Sequence, residues 1–506
     1  MPKPCGGSSP SAPEPSSSSS SSVLDFAIIG AGISGINFAY RIQSTLPLAS
    51  YAILEGRDSI GGTWDLFRYP GVRSDSDLYT LGFVWRPWLE GCAIAEGDTI
   101  LKYMRQAVRE KGIDRHVRMG HKVLKARWTD KSQQWTLDVE SNGELKHIHS
   151  RFLIFGTGYY DYKNPLCPPI PDLEQFTGEV VHPQFWPEDL NYAGKHVVVI
   201  GSGATAVTLL PNLAQKAGHV TMLQRSPSYI ISADNKTELR LLRRFIPLLW
   251  IYQLLRWRQM AIMFLLVQFC DLFPNFAKRQ LRTATEKVLP AHVPYDPHFK
   301  PRYKPWEQRL CVSPNGDFFD ALRSRKASVS TGHIQGIKDR AIILESGEQI
   351  EDVDVIITAT GLRMMFAGDI EVSVNGKTVN LAEKFLWKGC MFQDMPNACL
   401  VVGYTNASWT LGADATAILF CRLVQQMQRL GSASARPHLD AKQQSVMKSV
   451  PVIDLSSTYV QKARDSIPKA GDRGVWKPKY NFLSNYWDAR WGDIMTGLRF
   501  SPKANS

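Results

Sequence analysis

Short apolar runs recur along the chain, each closed by glycine and followed by residues at helical spacing. Leu24–Ile29 is the first, and the residues from Ile36 to Ile42 after it repeat apolar side chains at a helical period. Tyr51–Leu54 is a second run. His196–Ile200 and His219–Gln224 repeat the arrangement in the middle of the chain. Runs of four to eight apolar residues alternating with helical segments predict buried strands in parallel, doubly wound α/β sheets. Two further runs, Phe152–Gly158 and Val353–Ala359, end in Gly156-Thr157-Gly158 and Thr360-Gly361. Each is expected to carry the chain across between two domains. The predicted layout is a first domain over 23–160, a linker over 161–175 and a second domain over 176–345. The first domain is then expected to resume over 346–506.

A longer apolar segment, Phe245–Phe273, interrupts the second domain. Arg256 and Arg258 divide it into Phe245–Leu255 and Met260–Cys270, each too short to span a bilayer of about 30 Å. It lies in a helical insertion expected over 233–299. Two readings stay open: a buried insertion, or a helical patch that covers a substrate entrance or rests on a membrane surface.

The glycines carry the first chemistry. Leu24–Ile29 leads into Gly30-Ala31-Gly32-Ile33-Ser34-Gly35. In such a G-x-G-x-x-G turn, Gly30 permits the tight bend and Gly32 lets backbone approach a pyrophosphate. Gly35 allows close helix–strand packing, and the helix N-terminus favours the negative charge. The next strand ends at Glu55, suited to the hydroxyls of an adenosine ribose. His196–Ile200 leads into a second copy, Gly201-Ser202-Gly203-Ala204-Thr205-Ala206, with alanine at the third position. Its following strand ends not in an acid but in Arg225-Ser226, which suits a 2′-phosphate. The pair predicts two Rossmann-like dinucleotide-binding domains, FAD on the first and NADPH on the second.

Between the two loops lies Phe176-Thr177-Gly178-Glu179-Val180-Val181-His182-Pro183-Gln184-Phe185-Trp186-Pro187, which fits F-x-G-x-x-x-H-x-x-x-W-P throughout. A chance match is on the order of 10⁻⁴ at ordinary residue frequencies. This string resembles the fingerprint of class B flavoprotein monooxygenases of the Baeyer–Villiger type. Trp186 favours that branch over the flavin-containing N- and S-oxygenating enzymes. Gly62-Thr63-Trp64, Tyr69-Pro70-Gly71, Arg73-Ser74-Asp75-Ser76-Asp77 and Ala359-Thr360-Gly361 also fit the family. The strings Pro305–Cys311 and Tyr404–Thr410 resemble its ethionamide-activating subgroup.

The resemblance implies that NADPH reduces FAD, that a C4a-peroxyflavin forms with O2, and that a ketone becomes an ester or lactone, with sulfides as further substrates. It matches Arg309 to the family's essential arginine and Asp75 to the acid that orients it. Ser34, Gly62, Thr63, Trp64 and Val123 are matched to FAD contacts, and His182 to a domain hinge rather than a proton donor. A fixed cation is what a developing oxyanion needs, and arginine stays protonated. The chain departs from the family at Gln308, where a lysine is frequent, which leaves more of the 2′-phosphate discrimination to Arg225. The alternative is an N- or S-oxygenating flavin monooxygenase without ketone activity.

Composition changes this picture little. The 506 residues suffice for two or three domains. A net charge of +12 admits an acidic membrane surface, but the only basic cluster, Arg240–Arg244, is mixed with Leu241 and Leu242 and does not read as a nucleic-acid site. The eight cysteines form no C-x-x-C pair, which suits a reducing cytoplasmic compartment and disfavours a dithiol reductase. No metal site is expected. The Ser-rich residues 1–22 are expected to form a disordered tail. The expected partners are O2 and a small organic substrate, with 245–273 as a candidate peripheral membrane contact.

Overall fold

The computed structural model describes residues 23–502 except 90, 236–245 and 480. The tail, the arginines at 240–244 and the start of the apolar segment lie outside the described residues.

Leu24–Ile29 pairs in parallel with Tyr51–Leu54 on one side and with the end of Glu144–Phe155 on the other. Glu144–Phe155 continues into an antiparallel meander with Gln134–Ser141 and Lys122–Thr129, completing a nine-stranded sheet. The helix Ile33–Thr45 turns Ile36, Phe38, Ala39 and Ile42 into the core and ends just before Pro47, which cannot extend it. The long helix Trp409–Arg429 packs on it, joining the two ends of the chain through Phe38 and Phe420, whose rings lie 6.0 Å apart. Burying such side chains contributes about 1.5–3 kcal/mol each.

The second sheet is wholly parallel, in the order Ala327–Thr331, His219–Gln224, His196–Ile200, Val355–Thr358, Glu179–Val181. This corrects the expected boundary at 346. Val355–Thr358 is buried throughout and pairs with Val197–Ile200, so the chain leaves the second domain only at Ala359–Gly361. Before that strand, Ile334–Lys338, Ala341–Leu344 and Gln349–Ile350 form a small antiparallel sheet.

The insertion is helical, as the sequence reading has it. Leu248–Leu272 is one continuous helix, and Arg256 does not break it. The buried Arg256 guanidinium donates to the carbonyls of Tyr79 (2.6 Å) and Gly82 (3.3 Å) and to the Tyr252 hydroxyl (3.2 Å). A charge that halves the apolar run in sequence thus docks the helix onto the first domain, where Ile251, Tyr252 and Leu255 join the core. A second helix, Pro274–Val288, follows at 117°. Among the described residues no single helix is long and apolar enough to cross a membrane.

Candidate active site

A cleft of about 580 Å³ runs along the first domain and is closed by residues of the second. Small-ligand pockets usually measure about 300–1,000 Å³, and this cleft falls within that range. The first loop contributes Gly30, Gly32 and Ser34, followed by Glu55, Gly62, Thr63, Trp64, Asp75 and Val123, all in the cleft wall. From the second domain come Ala204, Thr205 and Arg309.

The loops fit phosphates. A Cβ on Gly35 would stand 2.0 Å from the Gly30 carbonyl oxygen, so only glycine lets the helix settle onto its own loop. A Cβ on Gly32 would have no neighbour nearer than 3.8 Å, and one on Gly203 none within 4 Å. In both loops the middle glycine therefore presents bare backbone to open space, as a pyrophosphate requires. Glu55 ends its strand beside the first loop, its carboxylate accepting from the amides of Ala31 (2.7 Å) and Arg57 (3.0 Å). Burial raises its pKa against those two hydrogen bonds.

Around the second loop, the Ser202 hydroxyl donates to the Ser226 carbonyl (2.9 Å), which keeps Arg225 and Ser226 beside Gly201–Ala206. Arg225 is exposed, and its guanidinium reaches Thr458 Oγ1 at 2.9 Å. Gly201, Ser202, Gly203, Ala206, Arg225 and Ser226 do not line the main cleft.

Arg309 stands where the cleft meets a much smaller cavity of about 30 Å³, and it lines both. Its side chain is exposed and lines both of them. Burial alone would lower its pKa. Tyr159, Tyr160, Tyr459 and Asp75 offset this, and the pKa lies above the ordinary value. Burial in turn raises the Asp75 carboxyl, opposed by Arg309 and Arg73.

The expected orienting contact between Asp75 and Arg309 is not direct. No ion pair within 4.0 Å joins them among the described residues. The Tyr404 carbonyl accepts from the Arg309 guanidinium instead, at 3.4 Å. Arg73, two residues from Asp75, is paired with Asp317 of the second domain and ties the domains together beside the cleft. His182 lies outside the cleft wall and accepts from the Gln184 amide (3.2 Å), while the Gln184 side chain donates to the Asp161 carbonyl (2.8 Å). Its segment thus fastens the linker to the second domain.

Several wall residues escaped the sequence reading. Tyr159 stacks on Trp409, with centroids 4.7 Å apart and planes at 19°, and the Trp409 indole donates to Ser34 Oγ at 2.8 Å. The Tyr160 hydroxyl donates to that of Tyr159 at 2.9 Å. Tyr459 and Lys479 come from the C-terminal segment. The glycines after Phe155 pointed to the turn bearing Tyr159 and Tyr160. Nothing local marked Tyr459 or Lys479.

A family model described as pyridine nucleotide-disulphide oxidoreductase matches residues 27–245. Among the described residues no cysteine lines the cleft. The FAD-containing monooxygenase EthA of Mycolicibacterium smegmatis is 44% identical over 464 residues, covering 91% of this chain and 93% of that protein. EthA of Mycobacterium tuberculosis is 42% identical over 486 residues, covering 95% and 98%. In fold, the chain superposes on cyclohexanone monooxygenase from Rhodococcus sp. Phi1, solved with NADP+. The TM-score is 0.73 at 19% identity, over 96% of this chain and 100% of the other. Two dinucleotide loops facing one cleft, with relatives this similar over nearly the whole length, place the chain in the family of FAD-containing monooxygenases.

Proposed function

We propose that this monooxygenase consumes NADPH and converts ketones to esters or lactones. The balance is ketone + O2 + NADPH + H⁺ giving ester, NADP⁺ and water. The observation that carries the reading is the position of Arg309, a guanidinium shared by the dinucleotide cleft and an adjoining cavity lined largely by apolar side chains. FAD, reduced by NADPH, would supply the activated oxygen atom. The chain's own residues do the rest. Gly30, Gly32 and Ser34 hold the FAD pyrophosphate end, Glu55 the ribose, and Gly62, Thr63, Trp64 and Val123 the remaining walls. Arg309 faces the negative charge that develops on the substrate oxygen, without a proton to lose. The apolar walls exclude water around that charge, which strengthens its interaction with the guanidinium. The test is product analysis with the purified holoenzyme, offering a cyclic ketone and a thioether. Lactone at one per NADPH is expected; sulfoxide with no lactone would favour the heteroatom-oxygenating alternative and overturn the ketone reading.

Gly201, Gly203 and Thr205 cradle NADPH in this reading, and Arg225 with Ser226 takes the 2′-phosphate. A charge-assisted hydrogen bond contributes about 1.5–3 kcal/mol. Arg225→Ala is therefore expected to raise the KM for NADPH on the order of 10- to 100-fold, with little change for NADH. Steady-state kinetics with both nucleotides check this, and equal NADPH KM values in variant and parent would reject the assignment.

The insertion is proposed to rest on an anionic membrane surface. Trp250 is 70% exposed, and Leu254, Trp257, Leu265, Leu272 and Phe273 are exposed along the same hairpin. The Phe264 ring meets Phe482, 6.3 Å away, at the start of a helix that adds exposed Trp487 and Trp491. An apolar ridge rich in tryptophan, on a chain of net charge +12, suits an acidic bilayer interface. Sedimentation with phosphatidylglycerol-containing vesicles is expected to carry the protein down, less so at high salt. A Trp250→Ser, Trp257→Ser double variant should stay in the supernatant. Parent protein that ignores such vesicles would refute the surface role.

A further inference from the structure

The Arg309 guanidinium holds the Tyr404 carbonyl only loosely, at 3.4 Å. Its place at the cleft is therefore set mainly by the loop that carries it. That loop is pinned at both ends and in the middle. The Tyr303 carbonyl accepts from the Tyr229 hydroxyl at 2.9 Å, and the Tyr229 carbonyl accepts from the Cys311 amide at 2.9 Å. Both ends of the loop thus meet on one tyrosine of the second domain. The Glu307 carbonyl accepts from the Ser456 amide at 2.8 Å and from the Ser456 hydroxyl at 3.1 Å, which ties the middle to the C-terminal segment.

Within the loop, Lys304 and Glu307 close a turn around Trp306. The Lys304 amide donates to the Glu307 carboxylate at 2.9 Å, and the Glu307 amide to the Lys304 carbonyl at 3.1 Å. Trp306 stands in that turn at a φ of 70°. A bulky side chain rarely takes this left-handed backbone, whereas glycine takes it freely. Strain of this kind persists only where the surroundings over-determine it. The surroundings lie on the insertion. The Trp306 indole nitrogen is buried and makes no ordinary hydrogen bond, and the Cys270 thiol of the helix Leu248–Leu272 lies against it. Cys270 is itself 3% exposed, so the ring and the helix meet away from water. A turn that glycine would suit better carries the largest side chain available, and that side chain reaches a separate element.

We propose that Trp306 is a positioning residue: its indole, seated on the insertion helix, holds the strained turn that sets Arg309 at the cleft, three residues further on. The insertion then contributes to oxygen transfer through this ring, in addition to any surface it offers outside. The inference rests on the reading of Arg309 as the cation that faces developing negative charge.

The test uses the full-length holoenzyme, with a cyclic ketone and a thioether as probe substrates. Trp306→Gly eases the left-handed turn while removing the anchor. FAD content, thermal midpoint and the KM for NADPH should stay at the parent's values, because the change touches neither glycine loop. Product formed per NADPH should fall on the order of 10- to 100-fold, since a displacement of about 1 Å at a reacting group can cost that much. The remaining turnover should be O2 + NADPH + H⁺ giving hydrogen peroxide and NADP⁺. Trp306→Phe, which keeps a ring for the seat, should restore most of the yield. Trp306→Asn also tolerates the left-handed region and repeats the measurement where the glycine variant does not retain FAD. Parent-like yield in either small variant, beside an uncoupled Arg309→Ala, would overturn the proposal. So would loss of FAD in both, which would make the indole a packing element. An Arg309→Ala that stays coupled would remove the reading of Arg309, and this inference with it.

Discussion

Arg309→Ala is expected to hold FAD and to oxidise NADPH, yet to yield little or no oxygenated product, with the consumed oxygen recovered as hydrogen peroxide. The split follows from where the residue stands. Arg309 lies at the border between the dinucleotide cleft and the second cavity and belongs to neither glycine loop, so its loss leaves the phosphate cradles intact. What disappears is the fixed positive charge facing the site where negative charge develops. Removing one such preorganised group usually costs about 10²–10³-fold in turnover. No neighbour can replace it. Of the phenols beside it, burial pushes Tyr459 up to about 12 and Tyr160 well above its ordinary value, so both are neutral at working pH. Lysine at this position should recover part of the yield, as a point charge without the planar fork. The measurement is the ratio of product to NADPH consumed, and a ratio near the parent's would remove Arg309 from the chemistry.

The two dinucleotide loops were legible because their signals are local. Strand, glycine turn, helix and terminal acid or arginine fall within a few dozen residues, and the structure places Glu55 and Arg225 beside their own loops. Sheet membership is not a local property. Val355–Thr358 is apolar on both faces, as a central parallel strand must be, and would read identically in either sheet. The role of Arg256 was not legible for a related reason: hydropathy counts its charge but cannot see the carbonyls of Tyr79 and Gly82 that accept from it. The cavity beside the cleft was the least legible part. Tyr159, Arg309, Tyr404, Tyr459 and Lys479 come from five separate stretches of chain and meet only once both domains are folded.

The same long-range closure makes one ion pair decisive for stability. Asp414, on the helix Trp409–Arg429, accepts from Arg41 through both oxygens at 2.7 Å and from Asn37 at 3.1 Å. The Asn37 carbonyl oxygen in turn accepts from the Trp85 indole at 3.1 Å. The carboxylate is nearly inaccessible, at 3%, and the guanidinium largely so, at 15%. Asp414→Ala would leave a guanidinium and an amide in the core without their acceptor. Breaking one side of a buried pair costs about 3–5 kcal/mol, which for a domain of this size lowers Tm by roughly 6–20 °C. The loss should reach the flavin too, because Trp409 on the same helix donates to Ser34 in the first glycine loop. Excess FAD is therefore expected to recover part of the lost Tm by binding only the folded state. Replacing both partners, Arg41→Leu with Asp414→Leu, removes the stranded charge and should be less damaging than Asp414→Ala alone. Thermal denaturation of the three proteins with and without added FAD decides the matter: an Asp414→Ala midpoint within 2 °C of the parent's would mean that apolar packing, not this pair, holds the helix Trp409–Arg429 against Ile33–Thr45.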